Sequence, residues 1–532
     1  MPASNENLAS KPHYGAYHGG VQVNTHQNGA ELRPALVWLA DFPVVCLLWG
    51  RGTVFAPDLF GDCTLTVRPP LAHLERSLQM IDYCLENHAQ PLQRRRFGGL
   101  RGLFRPQKAG SLGLALALVA FAHPVAADEP NSANTAWILT STALVLFMTI
   151  PGLSLFYGGL VRTKNSLSVL MQCFTITCLV SILWLLLGYS LAFSEGNSFI
   201  GGLNHVLFAG VVESSLNGDI PASSFALFQM TFAIITPALV VGGFAERMRF
   251  SAVVLFSALW LLAVYIPVCH WVWGGGWLGE MGFMDFAGGA VVHITAGVGA
   301  LVAALVLGRR QGFPDRPLPP HNMTMTVTGA GMLWVGWFGF NGGSALAANG
   351  DAAMAMLVTH ISAATAAFTW LGIEWIKYGK PSALGAVTGM VAGLGTITPA
   401  SGFVGPAGAL IIGLLAGGVC FTATLFFKQK LKIDDSLDVF PVHGVGGILG
   451  CLLTAVFASN ALGVFSGDQE LSIASQLTTQ AIGVVATIIY TAVLTYVILM
   501  ITGVLCGGNR VDEDTETQGL DLTQHNEKGY DL

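Results

Sequence analysis

The sequence predicts an all-α integral membrane protein: eleven transmembrane helices, arranged as two inverted five-helix repeats with an eleventh helix bracing them. Three observations carry this. Hydrophobic residues make up 53% of the 532 and charged residues 11%, against about 25% charged in a typical soluble domain. Eleven apolar runs from Trp137 onward are long enough to cross a bilayer. The basic residues between those runs fall in alternate loops. The 65 glycines fit closely packed membrane helices. A net charge of -6 leaves no basic footprint for nucleic acid. The nine cysteines form no CxxC pair, so no disulfide framework, metal site or cofactor is expected.

Residues 1–109 differ from the rest. They hold 11 of the 25 Lys and Arg residues, including Arg94, Arg95 and Arg96, and show no sustained periodicity. The apolar patch 35–50 is broken by Asp41 and Pro43 and is too short to span a bilayer. Residues 110–127 read as a secretory signal peptide. Arg101, Arg105 and Lys108 flank an apolar run from Leu112 to Ala122, and Val125-Ala126-Ala127 supplies an A-x-A-like cleavage site before Asp128. Signal peptides stand at the start of a chain. Residues 1–109 are therefore expected to be a disordered extension or an upstream start-codon assignment, with translation beginning near Met80 or later. A purified protein starting at Asp128 supports the second reading, and one starting at Met1 or Pro2 excludes it.

The runs span roughly 136–161, 166–194, 222–245, 250–273, 285–308, 322–344, 351–376, 382–398, 404–427, 439–459 and 472–505. Odd-numbered loops carry Arg162 and Lys164; Arg247 and Arg249; Arg309, Arg310 and Arg316; Lys377 and Lys380; Lys428, Lys430 and Lys432. Even-numbered loops carry none, and Arg510 and Lys528 follow the last run. The positive-inside rule then puts the mature N-terminus outside and the C-terminus inside, as a cleaved signal peptide requires. With five spans per half, the second half must be inverted relative to the first, a plan that places a site near the midplane. Two echoes fit. Phe156-Tyr157-Gly158-Gly159 resembles Phe340-Asn341-Gly342-Gly343, and DFAGGAVVHITAG (285–297) resembles DVFPVHGVGG (438–447).

Each of those last stretches has a carboxylate before a histidine and small residues around it. A lone His on an apolar face of a soluble protein is usually a hydrogen-bonded core residue. Inside a membrane ionisable groups are costly and mark pathways, so His293 and His443 are candidate pathway residues. A pseudo-two-fold axis in the membrane plane would bring them together at mid-depth. Asp285 and Asp438 read as structural carboxylates at helix N-termini, where the dipole favours negative charge. Glu374 and His360 are left as packing residues.

Six stretches together resemble the ammonium transporter (Amt/Mep/Rh) family on its bacterial side: ALVLFMTIPGLSLFYGGLVR (143–162), FAERMRFSA (244–252), WGGGWL (273–278), DFAGGAVVHITAG (285–297), GWFGFNGGSALAAN (336–349) and DVFPVHGVGGILG (438–450). The tail GLDLTQHNEKGY (519–530) does so too, and the resemblance covers about 130–530. It implies a membrane domain over 128–507, a cytoplasmic regulatory tail over 508–532, a homotrimer in the cell (inner) membrane with one pore per subunit, and docking of a PII-type signalling protein at the cytoplasmic face. It also implies site roles. Phe232, Trp273 and Ser344 form an outer ammonium-binding site, where aromatic faces offer cation–π attraction and a hydroxyl accepts an N–H bond. Phe232 and Phe340 form an apolar gate, with Phe228 in the outer vestibule. His293 and His443 relay the proton that ammonium leaves behind, and ammonia crosses the apolar lumen. On residues alone, Trp273 is an interfacial belt residue and the phenylalanines face lipid or core.

The expected function is ammonium transport, electrogenic or as neutral gas, with no enzymatic activity. The alternative of another class is a membrane ammonium sensor of the same fold. An intramembrane hydrolase would need a nucleophile beside a base, and Ser344 lies near the outer end of its span while the histidines sit deeper.

Overall fold

The computed structural model describes residues 129–531. The expectations for 1–109 and for the signal peptide at 110–127 lie outside the described residues. Asn131 opens the first helix, its side chain accepting from Ala133 N and Asn134 N, which satisfies two of the first turn's free donors. The long helices are α1 (Ser132–Leu160), α2 (Thr163–Phe193), α3 (Ala222–Phe244), α4 (Phe250–Glu280), α5 (Gly289–Leu307), α7 (Gly350–Tyr378), α9 (Pro406–Lys430), α10 (Phe440–Phe457) and α11 (Ile473–Leu505). Among the described residues these nine are long and apolar enough to cross a membrane. Two further helices, α6 (323–342) and the shorter apolar α8 (Ala383–Ile397), fall where spans six and eight were expected. Two small antiparallel hairpins, β1 (Gly196–Asn197) with β2 (Ile200–Gly201) and β3 (Leu216–Asn217) with β4 (Ile220–Pro221), lie between α2 and α3.

The fifth span begins later than its apolar run. Asp285 to Gly288 form a cap in which Gly288 has φ +112°, a conformation that glycine adopts without a Cβ penalty, and helix starts at Gly289. α3 is apolar on every side and buried along nearly its whole length, as a helix without a polar face must be. α11 sits at the rim. It lies against α4, α5 and α10, is pinned by Trp260 Nε1 donating to Thr495 Oγ1 at 2.9 Å, and turns Ile489, Val493, Tyr496 and Met500 outward. Outward apolar stripes on α7, α9 and α11 form a surface suited to hydrocarbon rather than water.

The basic loops meet at one end of the bundle, the end the charge pattern puts inside. Glu246 is fully buried and accepts from Arg310 Nη1 at 2.8 Å, Arg162 Nε at 3.0 Å and Asn165 Nδ2 at 3.1 Å. Asp434 takes the other side of Arg310, at 2.7 Å from Nη2. Arg247, also buried, donates to five acceptors, among them Asp434 O and Ser436 Oγ, both at 2.7 Å. Burial alone would raise both carboxyl groups, but the neighbouring guanidinium groups reverse this and hold Glu246 and Asp434 below the usual carboxylate range. Burial lowers Arg247 to about 10.

The tail closes this end. Two short helices, α12 (Glu513–Gln518) and α13 (Leu520–His525), pack beneath α2 and α4. Asp521 accepts from Leu167 N at 3.0 Å and Ser168 N at 2.6 Å, capping the start of α2. Glu516 bridges Arg510 and Gln311 N, both at 2.7 Å. By composition the acidic run would be a solvated tail; here Glu516 is buried in a specific contact.

Candidate functional site

At the end of the bundle opposite the ion cluster lies a cavity of about 390 Å³ lined by Phe225, Gln229, Phe232, Phe286, Trp273 and Ser344, among others. Phe225, Gln229 and Phe232 follow i, i+4, i+7 spacing on α3, which puts them on one face. Trp273 Nε1 donates to Asp285 O at 2.9 Å, and Ser344 Oγ donates to Phe340 O at 2.8 Å. The hydroxyl lone pairs of Ser344 therefore remain for a donor in the cavity. Phe232 stands edge-on to Trp273 at 5.8 Å between centroids and lies 4.3 Å above Phe340. Both phenylalanines are 1% exposed and close the cavity floor. Phe228, expected in the vestibule, is not among the lining residues. It lies off the lining arc, backing Phe232 edge-on at 5.0 Å.

Below Phe340 a narrow pocket of about 10 Å³ is walled by Ile235, Leu239, Val292 and Leu333, with His293 and His443 as its ionisable members. The two Nδ1 atoms are 3.2 Å apart and the rings 5.2 Å, inclined by 24°. An N–H···N bond needs one donor and one acceptor, so a single proton lies between the rings. One imidazole then presents an Nε2–H and the other a bare Nε2 lone pair. His293 Nε2 is buried without a partner. His443 also lines the next cavity, about 290 Å³, together with Tyr157, Ser436, Leu437 and Asp438 toward the basic end. Three spaces thus follow one another, separated first by Phe232 and Phe340 and then by the histidine pair.

Local backbone geometry sets these side chains. His293, Phe340 and His443 each sit on a π-helical turn: Gly289–Ile294, Phe338–Gly342 and Phe440–Gly444. Such turns recur at functional sites because they re-aim side chains within a helix. Glycines then let α5 and α10 touch through their main chains. A Cβ on Gly297 would stand 2.3 Å from Gly444 N, and one on Gly447 would stand 2.7 Å from Gly289 O. Asp285 anchors the first turn of α5, taking Gly288 N (2.8 Å), Gly289 N (2.5 Å), Ala290 N (2.7 Å) and Val291 N (3.2 Å). Its backbone carbonyl holds Trp273, so one residue fixes both the outer aromatic and the helix of His293.

Asp438 does not play the same part on α10. It forms an ion pair with Lys428 at 2.7 Å and lines the cavity toward the basic end. Asp435 is the residue that caps α10, its Oδ2 accepting from Phe440 N at 2.7 Å. The spacing shows why. Asp285 precedes His293 by eight residues, and so does Asp435 its His443, whereas Asp438 is five away. Sequence reasoning matched the wrong carboxylate, although the eight-residue interval was available. Gln229 was also missed. It is 8% exposed, its Oε1 lacks a partner, and it lines the cavity of Phe232 and Trp273; the signal was one amide on an apolar helix, one turn from Phe232. Trp337 stacks on His293 at 5.5 Å and donates to Thr398 Oγ1 at 3.0 Å, which apolar periodicity could not foretell. Glu374 accepts from Ser382 N at 2.7 Å across the α7–α8 turn, and His360 lies on Trp334 at 5.2 Å.

A helical membrane protein with an apolar constriction between two open cavities belongs among the channels and transporters of small solutes. Comparison with known proteins narrows the class: residues 136–530 match the family model described as the Ammonium Transporter Family. The chain is 47% identical over 396 residues to an ammonium transporter of Bacillus subtilis (strain 168), covering 73% of this chain and 96% of that one. It resembles the crystal structure of Saccharomyces cerevisiae Mep2 with TM-score 0.67 and 37% identity, over 73% of this chain and 89% of that one. A solved structure described as a sensor Amt protein matches with TM-score 0.69 and 30% identity, over 74% and 98%. The chain belongs to the ammonium transporter family.

Proposed function

We propose that this chain transports ammonium across the cell (inner) membrane, with the histidine pair carrying the proton. The observation that carries the reading is the 3.2 Å Nδ1···Nδ1 contact between His293 and His443 at the junction of the apolar pocket and the inner cavity. Ammonium sheds water in the outer cavity, where the aromatic faces of Phe232 and Trp273 are worth about 2 kcal/mol to a desolvated cation and Ser344 accepts an N–H. Phe232 and Phe340 bar hydrated ions, since an apolar constriction gates by dewetting. K⁺ is close in size but has no removable proton. Ammonium gives up its proton near the gate and ammonia crosses the pocket. The proton then follows along the histidines, or stays outside if transport is of neutral gas.

In this reading α1 to α11 are eleven transmembrane spans, α1–α5 and α6–α10 are inverted repeats, and α11 braces them. The mature N-terminus lies outside and the tail inside. Three copies assemble as a trimer. A PII-type protein docks at the face formed by the basic loops and the tail.

The test is an ammonium jump on proteoliposomes at fixed pH, recording transient current and internal pH for wild type and His293→Ala. A wild-type current that the variant loses supports proton relay. Internal alkalinisation without current points to neutral ammonia. Silence in both channels with ammonium still bound favours a sensor, the reading to which the resemblance to a sensor Amt protein lends weight.

A further inference from the structure

The two capping carboxylates occupy equivalent positions, eight residues before their histidines, yet they are finished differently. Asp285 has four main-chain donors, two on each oxygen. Asp435 takes main-chain donors from Phe440, at 2.7 Å on Oδ2, and from Val439, while its Oδ1 is buried with no hydrogen-bond partner. The residue is 3% exposed. The segment that follows it, Ser436 to Asp438, lines the inner cavity that also reaches His443. An oxygen buried without a donor disfavours the carboxylate. The charged groups nearby do not restore the balance. Asp438, on the same segment, opposes ionisation, and Lys428 at the end of α9 favours it. Arg247 faces Asp435 from the α3–α4 loop and Tyr157 from α1. Burial first, then Asp438, push the Asp435 carboxyl up to about 7.

We propose that Asp435 is a proton-exchanging cap whose charge, set by the inner solution, governs how readily positive charge passes the histidine pair. The coupling rests on the relay reading given above. When ionised, Asp435 cancels the positive end of the α10 dipole, one turn before His443. When protonated, it leaves that end uncompensated, and a cation at His443 meets an unfavourable potential. Acidification of the inner solution then throttles the path, and alkalinisation opens it. Only a proton is exchanged: Oδ1 binds it from the inner solution and returns it there. At the outer end the four donors on Asp285 leave no such unfinished oxygen.

Asp435→Asn is the decisive variant, because its amide oxygen can still accept from Phe440 N while the group no longer titrates. Two readouts are needed, in proteoliposomes with inner pH stepped from 6 to 8. One is the infrared difference spectrum, where the carboxyl C=O band of a titrating acid appears in wild type and is missing in Asp435→Asn. The other is the ammonium-evoked current. With a midpoint near 7, the ionised fraction rises about ten-fold over that range, and the Asp435-dependent current rises with it. In Asp435→Asn the current holds one low value at every inner pH, and Asp435→Glu restores a pH-dependent current. An inner-pH profile unchanged in Asp435→Asn, or no Asp435-dependent band, overturns the proposal. A band that titrates in a wild type without current overturns the relay reading, and the coupling with it, while the titration stands.

Discussion

Gly297→Ala puts the packing of the two histidine helices to the test. The added methyl would stand 2.3 Å from Gly444 N and 2.4 Å from Gly444 Cα. Both are main-chain atoms, so no rotamer change relieves the clash. Ordinary contact starts at about 3.4 Å, and α5 and α10 must therefore part by about 1.1 Å here. Passed on in full, that shift takes the Nδ1 atoms from 3.2 Å to roughly 4.3 Å, beyond hydrogen-bond reach. Overpacking of this kind costs about 1–3 kcal/mol, so the fold should survive with a lower melting temperature. Two measurements follow: the ¹⁵N–¹⁵N coupling across the histidine hydrogen bond, and the ammonium-evoked current per trimer. Wild type should show both. Gly297→Ala should lose the coupling and at least ten-fold of the current. Gly331→Ala, with nothing within 4 Å of its new methyl, should match wild type in both. A Gly297→Ala protein that keeps the coupling would refute the claim that glycine contact sets the pair's spacing.

Arg310→Met removes the guanidinium shared by Glu246 and Asp434 and leaves two buried carboxylates each short of a charged partner. It should cost about 3–5 kcal/mol, seen as a lower melting temperature in detergent. Because Glu246 and Asp434 are held below the usual carboxylate range, their stabilisation is complete above about pH 4.5 and is lost as pH falls through their lowered values. Wild-type melting temperature should drop in that acid range and Arg310→Met should show a flatter profile. Asp285→Ala strips four main-chain donors of their acceptor and should destabilise by about 2 kcal/mol or more, with loss of ammonium binding as Trp273 shifts; calorimetric titration and melting check both. Asp521→Ala uncaps α2 and should raise protease sensitivity after Gly508 without lowering the melting temperature of the bundle by more than a few degrees.

The sequence exposed some of this architecture and hid the rest for identifiable reasons. Apolar runs locate the helices because a bilayer leaves no other way to satisfy the backbone. Alternating Lys and Arg found the common end where Arg162, Arg247 and Arg310 meet, but not their partners. Glu246 and Asp434 look like ordinary loop acids until the loops are brought together. The histidines were visible because ionisable residues in apolar runs are rare, and their small neighbours suggested close approach, which Gly297, Gly444 and Gly447 realise. Phe228 was placed in the vestibule by resemblance alone; its ring backs Phe232 instead, and which of Phe228 and Gln229 faces the cavity depends on rotation about the axis of α3, which the sequence does not reveal.

The π-helical turns explain the remaining misreading. Asp285 and Asp438 were paired because each looked like the carboxylate at the mouth of a helix. Helical phase counted at 3.6 residues per turn cannot settle which acid matches which, since Gly289–Ile294 and Phe440–Gly444 each carry a wider turn that shifts the phase between cap and histidine. The interval of eight residues survives that distortion because both halves contain it. The distortion also gives each histidine more freedom than a regular turn allows: His293 N bonds to Gly288 O at 3.0 Å, five residues back. A pair aimed by wide turns cannot rely on local helix geometry for its spacing. The spacing must come from the main-chain contact of α5 with α10 and from the two caps, Asp285 at one end and Asp435 at the other. Asp285 is locked by four donors. Asp435 leaves Oδ1 without a partner, so under the proposal above the end of the pair nearest the cavity toward the basic end is the end whose charge can change.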